Sequence, residues 1–277
     1  NRYDKSIEIH ARLMNLLREE VCVKRNKKII SEQAAFVIAP EKPVIYPTGV
    51  SKTYTLPVES KWKRSIYKEH HKIHILCLFP WLSMGGADKF NLDLLTGLDK
   101  ECYEISIITT TPSDNAWLQR FREVTPEIFN LPNFLSDENF PEFINYFIKS
   151  REIDIIFQSN SLDGYYLLPW IRQHFPNVAI VDYVHMEEWY WRNGGYARDS
   201  GIMGNIIEHT YVCNSATRKI MVEKLNKDPE KVETVHIGID DTYFNPDKVR
   251  PSLLYKELKI ATDRPIVLFI CRLHPQK

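Results

Sequence analysis

The stretch ILCLFPWLSMGGADKF, Ile75 to Phe90, decides the reading of this chain. An apolar run suited to a strand buried on both faces meets a turn built on Gly85 and Gly86, and a helical pattern follows. Ala87, Phe90, Leu94, Leu95 and Leu98 share one helical face, so a helix is predicted from Ala87 to about Leu98. The alternation continues outward. Strand-like runs stand at Ile73 to Phe79, Glu104 to Thr110, Ile153 to Gln158, Val178 to Val184, Thr210 to Cys213, Thr234 to Ile237 and Pro265 to Cys271. Helices are predicted from Pro141 to Lys149, with Phe143, Ile144, Phe147 and Ile148 buried, and after Ser215 as cap, through Ile220, Met221 and Leu225. Strands alternating with helices predict an α/β fold: a parallel sheet with helices on both faces.

Such a sheet binds ligands at the carboxyl ends of its strands, where helix N-termini present backbone amides and partial positive charge. Gly85 and Gly86 fall at such an end. Glycine there lets backbone approach an anion or a hydroxyl, and it equally serves a tight strand-to-helix turn. Neither G-x-G-x-x-G nor G-x-x-x-x-G-K-[ST] occurs, which excludes the dinucleotide fingerprint and the P-loop.

The 277 residues have an ordinary globular composition, 44% apolar and 26% charged. Lys plus Arg and Asp plus Glu both number 36, so no overall field points to nucleic acid, and charge recognition must be local. The five cysteines, Cys22, Cys77, Cys102, Cys213 and Cys271, form no CxxC pair and read as reduced thiols of a cytoplasmic protein, with no metal site. Residues 1–71 differ from the rest. Ile9, Leu13, Leu16 and Leu17 mark an amphipathic helix between Ser6 and about Lys28, and Pro40, Pro43, Pro47, Gly49 and Pro57 mark an extended connector. KWKRSIYKEHHK, Lys61 to Lys72, is a basic aromatic segment that reads as a solvated linker or as a peripheral contact with an inner-membrane surface. The chain begins without methionine and breaks off inside a pattern, as a piece of a longer protein does.

Five segments stand in a particular order: Gly85 and Gly86 with Ala87 and Asp88; a strand ending in Val184 and His185; VCNSATRK, Val212 to Lys219; VHIGIDDTYFNP, Val235 to Pro246; and RPIVLFICRLHPQK, Arg264 to Lys277. This order, from Ile73 to Lys277, resembles the N-terminal, acceptor-side half of a GT-B glycosyltransferase, most closely the retaining enzymes of glycosyltransferase family 4. It departs from the family pattern at Ile237, where asparagine is usual, and at Cys271, where glycine is usual. The family's E-x7-E segment would lie beyond Lys277. The resemblance implies a Rossmann-like domain over residues 72–262, preceded by the extension 1–71 and followed at 263–277 by the first strand of a donor-binding domain.

It also implies transfer of a sugar, with retention, from a nucleotide-sugar donor to a glycan or lipid-linked acceptor, without metal or other cofactor. The implied setting is bacterial polysaccharide synthesis at the cytoplasmic side of the inner membrane, and residues 1–277 alone are expected to be inactive. By this resemblance Gly85, Gly86, Arg272 and Lys277 face the donor diphosphate, and His185 sits near the transferred sugar as the catalytic candidate. MEEWYWRNGGYARDSG, Met186 to Gly201, combines aromatic faces with hydrogen-bonding groups and reads as acceptor-site material or as an interdomain packing loop. Asp88, Asn160, Glu187, Trp189, Trp191 and Arg192 are the acceptor-binding candidates. A non-catalytic Rossmann-like module that binds a glycan or a protein remains the alternative, and a GT-B epimerase or phosphorylase a third reading.

Overall fold

The computed structural model describes residues 45–52, 72–248, 251–261, 263 and 265–270. The predicted N-terminal helix, the basic segment up to His71, Arg272 and Lys277 lie outside them. The described residues divide into two units, one ending at Ile237 and one beginning at Gly238.

The first unit is built on seven parallel strands: β1 (Ile73–Phe79), β2 (Tyr103–Thr109), β3 (Ile128–Asn130), β4 (Ile155–Gln158), β5 (Ala179–Val184), β6 (His209–Val212) and β7 (Val232–Thr234). Their order is β3-β2-β1-β4-β5-β6-β7. The chain therefore works outward from β1 in one direction, returns to β4, and works outward in the other. Connections that leave β1 and β4 on opposite faces open a crevice at their carboxyl ends, the usual ligand position in this Rossmann-like architecture.

The sheet is apolar on both faces because helices cover it. Ile75, Cys77 and Phe79 face a cluster with Phe90, Leu94, Leu95 and Leu98, contributed by α1 (Gly86–Thr96) and its end, and with Phe121 of α2 (Leu118–Arg122). Leu76 and Leu78 face Phe140, Ile144, Phe147 and Ile148 of α3 (Phe140–Ser150) and Tyr165 to Ile171 of α4 (Leu162–His174). Alternate β1 residues thus serve two cores, as a period of two requires. Beyond β5, α5 (Gly195–Ile202) and α6 (Ser215–Glu223) close a smaller cluster with Val184, Ala197, Val212, Met221 and Val232.

Several expectations need correction. The last strand of this sheet lies at Val232–Thr234, earlier than the predicted Thr234–Ile237, because β6 ends at Val212, whose pairing with Thr234 and bond from Val235 N (2.9 Å) close the ladder. Asn214, and not Ser215, caps α6: its extended backbone (φ −159°) aims the side chain at the amide of Thr217, which donates to it at 2.8 Å. The segment read as a loop from Met186 to Gly201 carries α5 at its end. Short β3 and α4, whose interior holds Pro169, were not anticipated.

In the second unit the GID segment forms a turn. Asp240 Oδ1 accepts from the amides of Thr242 (2.9 Å) and Tyr243 (3.0 Å), and its carbonyl accepts from Phe244 N at 2.8 Å. A 3-10 turn at Pro246–Lys248 and the helix α7 (Pro251–Glu257) follow. The strand expected at Pro265 to Cys271 is absent over the described residues 265–270. Val267 is 92% exposed there, since β geometry persists only where a neighbour completes the ladder.

Candidate functional site

The strand ends lie level. Leu78 pairs with Gln158 and Gln158 with Asp182, so the turns after β1, β4 and β5 emerge at one edge. The turn after β1 is held from both sides. Thr110 and Thr111 donate backbone bonds to Phe79 and Pro80, and Trp117 N donates to Leu82 O at 2.9 Å. Leu82 N donates in return to Asn115 Oδ1 at 2.9 Å, while Asn115 Nδ2 donates to Ser113 O. Asn115 is buried with φ +49°, a left-handed conformation its short amide side chain tolerates.

From the other side Asp88, in the first turn of α1, accepts from Ser83 N at 3.2 Å. Burial pushes the Asp88 carboxyl up to about 6 against the Ser83 amide, which favours the charged form. Asp88 thus fastens the glycine turn from beneath.

The two glycines differ. A Cβ on Gly85 would lie 2.8 Å from Asp88 Oδ2, so a side chain there would have to displace that carboxylate. A Cβ on Gly86 would meet nothing within 4 Å, and its φ lies outside the left-handed range. Neither packing nor backbone conformation asks for glycine at 86. Gly85 offers no side-chain cap, so the start of α1 relies on backbone groups at this exposed edge.

His185 closes the edge after β5. Its Nε2 lies 3.2 Å from Ser159 Oγ, its ring meets Phe90 of α1 edge-on with centroids 5.3 Å apart, and its carbonyl accepts from Cys213 Sγ. Burial lowers the His185 pKa to about 4, so the imidazole is neutral at physiological pH. It joins the ends of β4, β5 and β6 to the glycine-loop helix. Neighbouring Asn160 has φ +55°, and Ser161 then caps α4 by accepting from Gly164 N at 2.9 Å. Glu187 accepts from Thr217 Oγ1 at 3.1 Å in the first turn of α6.

The aromatic segment is a closed loop. Glu188 and Gly194 form an antiparallel bridge, and Arg192, Asn193, Gly194 and Gly195 all have positive φ, at 51°, 54°, 125° and 58°. Trp189 is 44% exposed, with the Lys224 ammonium 5.4 Å from its ring centroid. Trp191 packs edge-on against Tyr196. Arg192 turns inward: it pairs with Asp199 at 2.8 Å, donates to Tyr166 Oη, and lies over the Tyr166 ring. Asp199 is 1% exposed, and burial raises its pKa to about 6 although Arg192 and Arg198 both favour its charged form.

Gly85, Gly86, Asp88 and His185 are therefore gathered on one edge through Phe90 and Ser159, with Asn160 and Glu187 beside them. Arg192 is used by the fold itself. Asn115 and Phe90 are contributors that sequence reasoning passed over. A solitary Asn between Asp114 and Trp117 carries no periodic signal, and Phe90 reads as core, which it also is. Asp182 was also overlooked, although an acid inside the apolar run AIVDYV announces a buried partner. Tyr165 Oη donates to it at 2.9 Å, and the buried Lys227 Nζ donates to adjacent Thr210.

The family model described as Glycosyltransferase Family 4 matches residues 84–243, more than half of the chain. The chain belongs to glycosyltransferase family 4. The matched residues begin one before the glycine pair, so the edge described above falls within the family's own region. No curated protein matches the chain in sequence. Among solved structures it is similar to a glycosyltransferase from Rickettsia africae (15% identity, 70% of this chain and 51% of that one, TM-score 0.46). It is also similar to HepE of Anabaena, crystallised with UDP and glucose (16%, 68% and 50%, 0.47), and to a UDP-N-acetylglucosamine 2-epimerase (10%, 59% and 48%, 0.44). The chain spans about half the length of these structures. Among the described residues no helix is long and apolar enough to cross a membrane.

Proposed function

We propose that this chain supplies the acceptor side of a retaining glycosyltransferase, which passes a sugar from a nucleotide-sugar donor to a glycan or lipid-linked acceptor in bacterial polysaccharide synthesis at the cytoplasmic membrane surface. Family membership supports sugar transfer as the chemistry. The observation that carries the placement of the site is Gly86, a glycine without a conformational or packing reason at the mouth of a helix on the sheet's carboxyl edge. What remains to explain it is a ligand that must reach the backbone.

In the proposed reaction the acceptor oxygen bonds to the anomeric carbon while the bond from that carbon to the diphosphate oxygen breaks. The electron pair leaves with the diphosphate, and the acceptor proton passes to a phosphate oxygen. Amides at the start of α1 face the charge that grows on the leaving group and stabilise it without reorganising. Arg272 and Lys277 are assigned to the same diphosphate from the resemblance. His185, neutral and fixed against Ser159 and Phe90, acts as a hydrogen-bond partner that orients the sugar and not as an acid. Asp88, engaged by Ser83, supports the turn from below, while Trp189 offers a face for an acceptor ring.

The test is a panel of nucleotide sugars presented to the protein as it occurs in its host, read by thermal shift and by transfer of labelled sugar. A rise in Tm with one donor and incorporation of its sugar support the proposal. Binding of glycans with neither donor effect would favour the non-catalytic module, for which exposed Trp189 and Tyr190 are the supporting observation.

A further inference from the structure

Residues 45–52, IYPTGVSK, precede the family match, and the sequence reads them as part of a connector. They lie against α4 and α5. Val50 N donates to Pro47 O at 3.4 Å, Gly49 takes φ +98°, and Val50 packs on the core beneath α3 and α4. Arg198 of α5 donates to the Gly49 carbonyl at 3.4 Å, and a Cβ on Gly49 would come within 2.7 Å of that guanidinium. Ser51 Oγ lies 2.9 Å from Tyr166 Oη. Lys52 pairs with Asp137, ahead of α3, and with Asp163, in the first turn of α4.

These contacts meet at the aromatic loop. Tyr166 Oη accepts from Arg192 and shares a second hydrogen bond with Ser51 Oγ, in which either hydroxyl can donate. Arg192 and Arg198 both pair with buried Asp199, at 2.8 and 3.5 Å. The segment therefore touches each arginine of this group, Arg198 directly and Arg192 through one phenol. The loop it reaches is one that needs fixing, because four successive residues stand at positive φ and two of them, Arg192 and Asn193, are not glycine. Such backbone persists only where surrounding contacts over-determine it.

We propose that residues 49–52 are a positioning strap, in which Gly49 and Ser51, through Arg198 and Tyr166, hold the Glu188–Gly194 loop in the geometry that presents Trp189 and Trp191 to the acceptor. The mechanical link stands on the contacts above; its consequence for the acceptor rests on the reading given under Proposed function. The strap is a positioning element and touches no reacting atom.

The test uses Ser51→Ala, Ser51→Thr and Gly49→Val in the protein as it occurs, and reads amide hydrogen exchange across residues 188–195 together with acceptor and donor KM. Ser51→Ala is expected to speed exchange in that loop while β1, β4 and β5 keep theirs. It should raise the acceptor KM about 2- to 10-fold, the range one neutral hydrogen bond corresponds to, with donor KM unchanged. Ser51→Thr keeps the hydroxyl and should restore both readings, and Gly49→Val should exceed Ser51→Ala. Unchanged loop exchange in Ser51→Ala and Gly49→Val overturns the strap and leaves the transferase reading intact. Faster exchange with an unmoved acceptor KM overturns the acceptor part and counts against the loop as acceptor site. A general loss of stability that moves both KM values together would mean a merely structural role and also overturns the proposal.

Discussion

Replacing Gly86 separates what the fold needs from what the site needs. An added methyl at this position meets no atom within 4 Å and no forbidden φ, so the folded state should accept alanine without strain. Alanine narrows the unfolded ensemble, and Gly→Ala at a compatible position stabilises by about 0.4–1 kcal/mol. For a domain of this size that is a rise of about 1–4 °C in Tm. The same methyl stands over the start of α1, where the proposed anion would approach. A hydrogen bond to a charged group contributes about 1.5–3 kcal/mol, so losing one predicts a fall in transfer rate of about 10- to 150-fold. Gly86→Leu, with a larger side chain over the same place, should fall further. Urea unfolding and labelled-sugar transfer on the same preparations read the two effects. The reasoning is refuted if Gly86→Ala loses more than about 1 kcal/mol, where a gain is expected, or if Ala and Leu variants both transfer at the parental rate.

Three further outcomes follow from the same geometry. His185 has its pKa lowered from 6.5 to about 4, so the unfolded chain binds more protons between these values; its contribution is complete above pH 6.5, worth about 3 kcal/mol, and is lost as pH falls through 4. His185→Gln should remove that slope from urea-derived stabilities at pH 4 to 7, and an unaltered slope would contradict burial as the cause. Asp88 and Asp199 act with the opposite sign: both rise from 3.8 to about 6, so the stability they add is present below pH 3.8 and lost as pH climbs through 6. Carboxyl titrations followed by NMR should show midpoints near 6, and midpoints below 4 would refute the assignment. Asn115→Ala strands the buried Leu82 amide and places alanine at φ +49°, which should cost about 1–3 kcal/mol in urea unfolding and reduce transfer with it; a cost under about 0.5 kcal/mol would show the glycine turn to be held otherwise.

The sequence by itself determined the parallel sheet. Ile73–Phe79 was read to the residue because a strand covered on both faces writes an unbroken apolar run, and the Phe90-Leu94-Leu95 face and Pro141 announced their helices through spacing and cap chemistry. Where local signals conflicted, the tertiary structure decided. Pro169 and Gly164 speak against a helix, yet α4 forms, because Trp170, Leu167 and Ile171 are buried between sheet and neighbouring helices. The two glycines look alike in sequence, and only the approach of Asp88 distinguishes 85 from 86. Arg192 looked like a hand held out to an acceptor, but Asp199 and Tyr166 turn it inward, and Ser51 completes the group from 115 residues before Tyr166. Backbone hydrogen-bond periodicity is written by near neighbours, whereas the task of a polar side chain is set by which distant groups arrive beside it, and that is known only when the chain has closed on itself.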